Sequence, residues 1–109
     1  MKYMRNKNRK NHNSVMLYCL DGKKLATIDK VVTAFRNLEH KIKLIQAFEW
    51  AVNNSPENLS NGFTHCFTIT FNSETDRDAY LTHSDHKAFL ALLNPAPDKA
   101  TVVDYWTNK

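Results

Sequence analysis

The chain has 109 residues, of which 42% are hydrophobic, 24% are charged and only two are glycine. This composition is typical of a single folded domain and excludes a disordered, fibrous or glycine-rich protein. The formal net charge of +4 originates in the first ten residues, because the rest of the chain carries ten basic and eleven acidic residues. The folded part is therefore close to neutral, and we expect no nucleic-acid partner for it.

Residues 1–13 are polar, basic and without periodicity, so we expect a disordered basic N-terminal arm before a domain of residues 14–107. Such an arm could contact phosphate or an anionic membrane, although a solvated terminus is the simpler interpretation. No apolar run reaches the length of about 20 residues that a membrane span needs, and no signal-peptide core of about 7–15 apolar residues is found. We therefore expect a cytoplasmic protein without a membrane partner.

The first two predicted elements are a strand and an amphipathic helix. Residues 15–20 form a continuous apolar run that ends at the turn-forming pair Asp21-Gly22, as in a strand covered on both faces. From position 28 onward the apolar residues recur every three or four positions, which indicates a helix with one apolar face. The residues of that face are Ile28, Val31, Val32, Phe35 and Leu38.

Two strands follow, separated by a polar loop over residues 53–62. Residues 42–52 alternate, with one face formed by Ile42, Leu44, Gln46, Phe48, Trp50 and Val52, and the other by Lys43, Ile45, Ala47, Glu49 and Ala51. Residues 63–71 also alternate, with one face formed by Phe63, His65, Phe67, Ile69 and Phe71, and the other by Thr64, Cys66, Thr68 and Thr70. This period of two predicts a strand in each segment.

A second helix is predicted to begin after Ser73, which can act as its N-cap with Asp76 in the capping-box position. A break is predicted inside this helix. Ser84, and the capping-box pair Thr82 and Asp85, indicate that a second short helix begins near residue 84.

The last strand is predicted for residues 101–106, which are rich in β-branched and aromatic side chains. The order β-α-β-β-α-β is that of a ferredoxin-like α+β fold, in which helices cover one face of a four-stranded sheet. The other face carries Cys66 and the threonine row, and we expect it not to stay exposed. We therefore predict a homodimer in which two copies pack sheet to sheet.

The two cysteines, Cys19 and Cys66, both lie in predicted strands. No Cys-x-x-Cys motif occurs, and two cysteines are too few for a disulfide scaffold. Because an isolated buried cysteine behaves as a small hydrophobic residue, we expect two separate thiols and no bridge.

The candidate site residues lie on the third strand and on the broken helix. Tyr80 and His83 share a helix face, whereas His86 would point elsewhere on an unbroken helix. With a break, His86 can turn toward the sheet, where His65 points inward. An imidazole can accept a proton while a tyrosine hydroxyl orients or protonates an oxyanion, which favours Tyr80 and His86 as an acid/base pair. A structural interpretation stays open, in which His65 is a hydrogen-bonded core residue and the other histidines cap the broken helix.

A metal site is a weaker interpretation of the same histidines. His83 and His86 are three residues apart and could chelate an ion, but no carboxylate or cysteine lies nearby at a convincing ligand spacing. We therefore predict no metal and no cofactor. The aromatic residues Trp50, Tyr105 and Trp106 are interpreted as core or interface residues, because the strands lack the basic residues of a base-stacking surface.

Several motifs of the chain form a set: Gly62-Phe63-Thr64-His65, Thr70-Phe71, Asp78-x-Tyr80-Leu81-x-His83-x-x-His86-Lys87-x-Phe89 and Val102-Val103-Asp104-Tyr105. This set resembles the motifs of the stress-responsive dimeric α/β-barrel family, known as Dabb, over about residues 14–106. The resemblance implies a ferredoxin-like protomer whose sheet closes into a barrel across a dimer.

One branch of that family is similar to the olivetolic acid cyclases of plants, which close a linear polyketide in a pocket between the sheet and the helices. The resemblance implies that Tyr80 and His86 act there in acid/base chemistry and that His65 lines the same pocket. Three positions depart from the family pattern. Members usually carry a histidine at the start of the first strand, where this chain has Ser14, and often a proline where it has Ser84. A glycine often follows the Phe-Glu-Trp motif, where this chain has Ala51.

Three functions follow as hypotheses. The first is a stress-responsive dimeric barrel protein that binds a small apolar or aromatic molecule in a cleft between sheet and helices, with ligand-binding residues His65, Phe67, His83 and Phe89. The second is an enzyme, polyketide cyclase-like or cofactor-free monooxygenase-like, with His86 and Tyr80 as the acid/base pair. The third is a purely structural stress protein. An open cavity reached by His65, Tyr80 and His86 would favour the first two, and side chains that fill that space would favour the third.

Overall fold

A computed structural model describes residues 13–93, 97 and 99–107. The elements of this part are β1 (Ser14–Leu20), α1 (Ile28–Lys41), β2 (Ile45–Val52), β3 (His65–Phe71), α2 (Glu74–Thr82), α3 (Ser84–Leu90), a 3-10 turn (Ala91–Leu93) and β4 (Ala100–Trp106). The predicted arm lies outside the described residues except for Asn13. Its backbone N–H donates to Thr107 Oγ1 at 2.8 Å, and its carbonyl accepts from the Thr107 N–H at 2.9 Å.

The strands form one four-stranded sheet in the order β2-β3-β1-β4, and every neighbouring pair is antiparallel. β1 and β2 are joined through α1 but are separated in the sheet by β3. This arrangement is the split βαβ unit of ferredoxin-like proteins, so the predicted α+β fold is confirmed.

The core lies between the helices and one face of the sheet, here called the helix-covered face. Phe35 of α1 is 2% exposed and lies against Phe67 of β3, with ring centroids 4.5 Å apart. Phe89 of α3 contacts Phe35 at the same centroid distance. Burial of an aromatic side chain of this size stabilises a fold by about 1.5–3 kcal/mol. The other apolar residues predicted for α1 share this core, as Val31, Val32 and Leu38 are buried.

The predicted start of β2 is wrong by three residues. Ile42 is 1% exposed and caps the C-terminal end of α1, where its N–H donates to the Leu38 carbonyl. β2 begins at Ile45, and its pairing with β3 shifts between Ile45 and Ala47. This bulge adds one residue, so Ile45 lies on the helix-covered face rather than the opposite one.

The broken helix is confirmed, with one change at the break. Ser73 caps α2 as predicted, since its Oγ accepts from the Asp76 N–H at 3.1 Å. The residue that caps α3 is His83 rather than Ser84. The Thr82 hydroxyl instead donates to the Ala79 carbonyl within its own helix, at 3.2 Å.

The opposite face of the sheet, here called the open face, has three rows of paired residues. The rows are Ala47-Thr70-Val15-Tyr105, Glu49-Thr68-Leu17-Val103 and Ala51-Cys66-Cys19-Thr101. No member of the buried core cluster belongs to these rows. Val15 and Cys19 are buried among their neighbours, but Val103 and Tyr105 are 49% and 46% exposed.

The prediction of two separate thiols is wrong. Cys19 and Cys66 form a disulfide between β1 and β3, with Cα atoms 4.2 Å apart. The two residues are direct partners in the register of these strands and lie on the same face. Residue types alone do not give this register, which depends on how the two strands pair.

Candidate functional site

A cavity of about 390 Å³ lies between the helix-covered face and the helices and is open on one side. All three helices and the strands β1 and β4 contribute to it. Its walls are mainly apolar, with four residues that carry polar groups. The lining residues are Met16, Tyr18, Phe35, Tyr80, Leu81, His86, Phe89, Leu90, Val102 and Asp104. A volume of this size is within the range of about 300–1,000 Å³ found for small-molecule sites.

Tyr80 enters the cavity from the last turns of α2. Tyr80 is 1% exposed, and its ring packs against Phe71 of β3 at a centroid distance of 5.1 Å. Burial raises the pKa of the Tyr80 hydroxyl well above its ordinary value, and the nearby Tyr18 raises it further. The Tyr80 hydroxyl is therefore protonated at neutral pH and can donate a hydrogen bond to a ligand oxygen.

His86 enters the cavity from the first turn of α3 and is 9% exposed. Its Nδ1 lies 3.2 Å from the Leu81 carbonyl oxygen. Because a carbonyl oxygen only accepts, Nδ1 carries the hydrogen, and in the neutral ring Nε2 holds a free lone pair. Burial lowers the pKa of His86; the bond to Leu81 opposes this effect, and the neighbouring His83 adds to it. The ring is therefore largely neutral near pH 7.

The break at residue 83 brings these two side chains together. The ring centroids of Tyr80 and His86 are 4.4 Å apart, with the ring planes inclined by 42°. The pair combines a protonated hydroxyl and a neutral imidazole beside one apolar cavity. Chemically it can bind a ligand that offers both an acceptor and a donor, or move a proton between two ligand atoms.

Asp104 on β4 is a charged residue in the cavity wall. Its carboxylate lies 3.2 Å from a guanidinium nitrogen of Arg77 on α2, and Arg77 also contacts Asp78 at 2.8 Å and Glu74 at 3.8 Å. Burial disfavours the charged guanidinium, but the hydrogen bonds to Asp78 and Asp104 outweigh it and raise the pKa of Arg77. The Asp104 charge at the cavity edge is therefore already paired.

His83 does not line this cavity. Its Nδ1 accepts a hydrogen bond from the Asp85 N–H at 3.0 Å, which caps α3. The same residue ends α2, where its own N–H donates to the Tyr80 carbonyl. Its observed role is therefore structural, and its role in ligand binding stays a prediction.

His65 and Phe67 are also absent from the lining of this cavity. Phe67 is fully buried beneath Phe35. His65 lies two residues before Phe67, at the start of β3, where its Nδ1 is 2.7 Å from Thr64 Oγ1 and its ring lies parallel to Trp50. The structure thus brings Tyr80, His86 and Phe89 to one cavity, while a ligand contact of His65 or Phe67 stays a prediction.

Two polar groups of the cavity, those of Tyr18 and Asp104, were missed by the sequence analysis. Tyr18 was hidden in the apolar run of the first strand. Asp104 carried a signal, because a carboxylate between Val103 and Tyr105 interrupts an otherwise apolar strand. Its place in the cavity wall depends on the pairing of β4 with β1.

Among residues 13–93, 97 and 99–107, no group of three or more histidine, cysteine, aspartate or glutamate side chains is arranged to hold a metal ion. None of the helices there is both long enough and apolar enough to cross a membrane.

The fold and the cavity define a class of protein: a ferredoxin-like protomer with a mainly apolar cavity between its sheet and its helices. The sequence matches the family model of the Stress responsive A/B Barrel Domain over residues 12–107. The chain therefore belongs to the stress-responsive A/B barrel (Dabb) family. This match confirms the resemblance to the family that the motifs indicated, whereas the likeness to the olivetolic acid cyclases stays a prediction.

Known relatives agree with this assignment. The chain is 34% identical over 85 residues to the Stress-response A/B barrel domain-containing protein HS1 of Arabidopsis thaliana, and the alignment covers 78% of each protein. A hydroxynitrile lyase from Passiflora edulis has a similar structure, with a TM-score of 0.79 at 22% identity over 90% of this chain and 94% of the lyase. A dimeric ferredoxin-like protein from Jannaschia sp. gives a TM-score of 0.73 at 22% identity over 85% and 97%. At these identities the structures support the fold alone.

Proposed function

We propose that this protein binds a small apolar or aromatic molecule in the cavity between its sheet and its helices. The observation that carries the proposal is the cavity of about 390 Å³ with largely apolar walls. Such a space excludes polar metabolites, whose desolvation would not be compensated, and accepts flat or aliphatic ligands. The Tyr80 hydroxyl and His86 Nε2 provide polar contacts that orient a ligand.

The protomer is proposed to function as a homodimer formed through the open face. In the central row of the open face, Leu17 lies between Thr68 and Val103. The adjoining row ends with Tyr105. Val103 and Tyr105 are each nearly half exposed in the protomer. The similar protein from Jannaschia sp. is described as dimeric. A second copy would cover these apolar side chains without using the cavity.

Ligand binding is tested with a substitution at the rim of the cavity that places a bulky side chain inside it. Val102 lines the cavity and is 51% exposed, so Val102→Trp can place its ring in the cavity without disturbing the core. The control is Val52→Trp, on the same face of the opposite edge strand and 58% exposed. Titration with a fluorescent apolar probe should give saturable binding to the wild type and to Val52→Trp. For Val102→Trp we expect affinity to fall at least about tenfold. Equal binding by all three proteins would contradict the proposal.

A second candidate function is catalysis by the same pair. The fixed tautomer of His86 leaves Nε2 as a base, and the Tyr80 hydroxyl is a donor held beside it. Such a pair suits a lyase or cyclase, in which a base removes a proton and a hydroxyl stabilises the oxyanion. The structural neighbour from Passiflora edulis is a lyase by name.

Catalysis is tested with a compound that binds in the cavity and that the wild-type protein converts to a product. His86→Gln and Tyr80→Phe should each lower kcat by about 100-fold or more while leaving the circular dichroism spectrum unchanged. His83→Asn, a change outside the cavity lining, is the matched control and should keep kcat within about threefold. Full turnover by the His86 and Tyr80 variants would restrict the function to binding.

A further inference from the structure

The wall of the cavity between the sheet and the helices includes an acidic side chain, that of Asp104. Asp104 pairs across the sheet with Met16 of β1, which also lines the cavity, on the face opposite to the proposed dimer interface. Among the described residues, no lysine or arginine belongs to the lining, and the ring of His86 is largely neutral near pH 7. The wall therefore offers no positive charge to an anionic ligand.

The guanidinium of Arg77 does not cancel the acidic charge beside the cavity. Arg77 contacts three carboxylates, those of Glu74, Asp78 and Asp104, so this group of four side chains carries a net charge of −2. The side chain of Arg77 is 16% exposed and is not part of the cavity lining, whereas that of Asp104 is 37% exposed and is part of it. A ligand in the cavity therefore meets the negative member of the ion pair.

We propose that Asp104 is a specificity-determining residue, which makes the cavity bind uncharged aromatic ligands and reject their anionic counterparts. This inference rests on the proposed ligand binding and adds the charge of the ligand to it. An anion in the cavity would lose its hydration and lie near a carboxylate, and like charges repel more strongly there than in water. An uncharged ligand of the same shape meets no such repulsion and can still contact the Tyr80 hydroxyl and His86 Nε2.

The contribution of Asp104 has to be separated from the general cost of desolvation, which disfavours an anion in any apolar cavity. Asp104→Asn keeps the size of the side chain and removes its charge. Asp78→Asn is the matched control, because Asp78 also contacts Arg77, at 2.8 Å, but does not line the cavity and has a side chain that is 64% exposed. A difference between the two variants therefore reports the charge in the cavity wall.

The experiment measures how two competitors of similar shape, naphthamide and naphthoate, displace the uncharged fluorophore N-phenylnaphthylamine from the full chain at about pH 8, where naphthoate is ionised. For the wild type, half displacement should need at least about tenfold more naphthoate than naphthamide. This ratio should fall at least about fivefold in Asp104→Asn and change less than about twofold in Asp78→Asn. A wild-type ratio near one, an unchanged ratio in Asp104→Asn, or an equal fall in both variants would overturn the proposal.

Salt provides a second test, which uses the wild type alone and does not depend on the folding of a variant. Because the Asp104 side chain is partly exposed, sodium chloride raised from about 20 to about 500 mM should screen its charge and lower the ratio at least about twofold. A ratio that does not depend on salt would contradict the assigned role. If the fluorophore failed to bind the wild type, the proposed ligand binding itself would be wrong, whereas bound fluorophore displaced equally by both competitors would refute the charge selectivity alone.

Discussion

At the scale of single residues, the protonation state of His86 is fixed by its surroundings. The Leu81 carbonyl holds the hydrogen on Nδ1, and burial lowers the pKa of the ring. Tyr80 is affected in the opposite direction, because burial raises the pKa of its hydroxyl. Burial disfavours the charged form of each group, so both are neutral at pH 7. A neutral base and a neutral acid then lie beside each other in an apolar cavity.

The lowered pKa of His86 predicts a loss of stability on acidification. Its pKa in the unfolded chain is near the ordinary value of about 6.5, so below that pH the unfolded chain binds the proton more readily than the folded one. The free energy of unfolding should therefore fall as the pH is lowered from about 6.5 through the folded-state pKa, by about 1.4 kcal/mol for a pKa lowered by one unit. Urea unfolding of the wild type and of His86→Gln, measured at a series of pH values from about 6.5 downward, tests this prediction. The free energy of unfolding of the variant should change less with pH than that of the wild type. If the free energy of unfolding had the same pH dependence in both proteins, the loss of stability would come from other titratable groups.

At the scale of elements, the break between α2 and α3 creates the site. An unbroken helix would turn by about 100° per residue, so Tyr80 and His86, six positions apart, would point about 240° from each other. His83 interrupts the helix by capping α3 through its own side chain. The chain then redirects, and His86 faces the ring of Tyr80.

The capping role of His83 predicts a specific pattern of stability. His83→Ala removes the acceptor for the Asp85 N–H and should lower the free energy of unfolding by about 1 kcal/mol. His83→Asn keeps a short side-chain acceptor at the cap and should recover most of that loss. Chemical denaturation of the three proteins checks the pattern. Equal losses in the two variants would show that the imidazole stabilises the break by another contact.

At the scale of the whole molecule, the two faces of the sheet differ in what covers them. The helix-covered face forms the core and the cavity, whereas the open face presents apolar side chains that no residue of the core cluster covers. Neighbouring residues on β4 point to opposite faces, so Val102 lines the cavity while Val103 lies in the central row of the open face. The proposed ligand binding and the proposed dimer can therefore be disturbed independently.

The proposed dimer is tested with this pair of adjacent residues, whose exposures of 51% and 49% are nearly equal. Val103→Asp would bury an unpaired carboxylate between the two sheets and should raise the dimer dissociation constant by about 100-fold, or about 3 kcal/mol. Val102→Asp faces the cavity instead and should leave the dimer intact. Sedimentation velocity at micromolar concentration measures both. A Val103→Asp protein that dimerises like the wild type would exclude the open face as the interface.

The disulfide also acts at this scale, because it links the two central strands. Closing a loop between distant positions restricts the unfolded chain and typically stabilises a fold by about 2–4 kcal/mol. The oxidised protein should therefore unfold at a higher denaturant concentration than the same protein kept in a dithiol. Cys19→Ser/Cys66→Ser is the matched control, and its midpoint should not change when the dithiol is added. A wild-type midpoint that is equally insensitive would mean that the bond does not restrict the unfolded state.

The sequence by itself determined the order of the elements, the apolar face of α1, the cap at Ser73 and the break near residue 84. These features depend on contacts between residues a few positions apart, which periodicity and capping patterns record directly. The motif set also determined the family. The neighbouring positions of Tyr80 and His86 were predictable for the same reason, since both residues belong to one local, broken helix.

Only the tertiary structure decided which distant residues meet. The bulge near Ile45, the bond between Cys19 and Cys66 and the place of Asp104 beside Arg77 all depend on strand register and on the packing of helices against the sheet. A shift of one residue in register moves every side chain of a strand to the other face, and residue types alone do not fix that choice. His65 shows the same limit. Its inward direction was predictable, but its position at the start of β3, outside the lining of this cavity, was set by the three-dimensional arrangement.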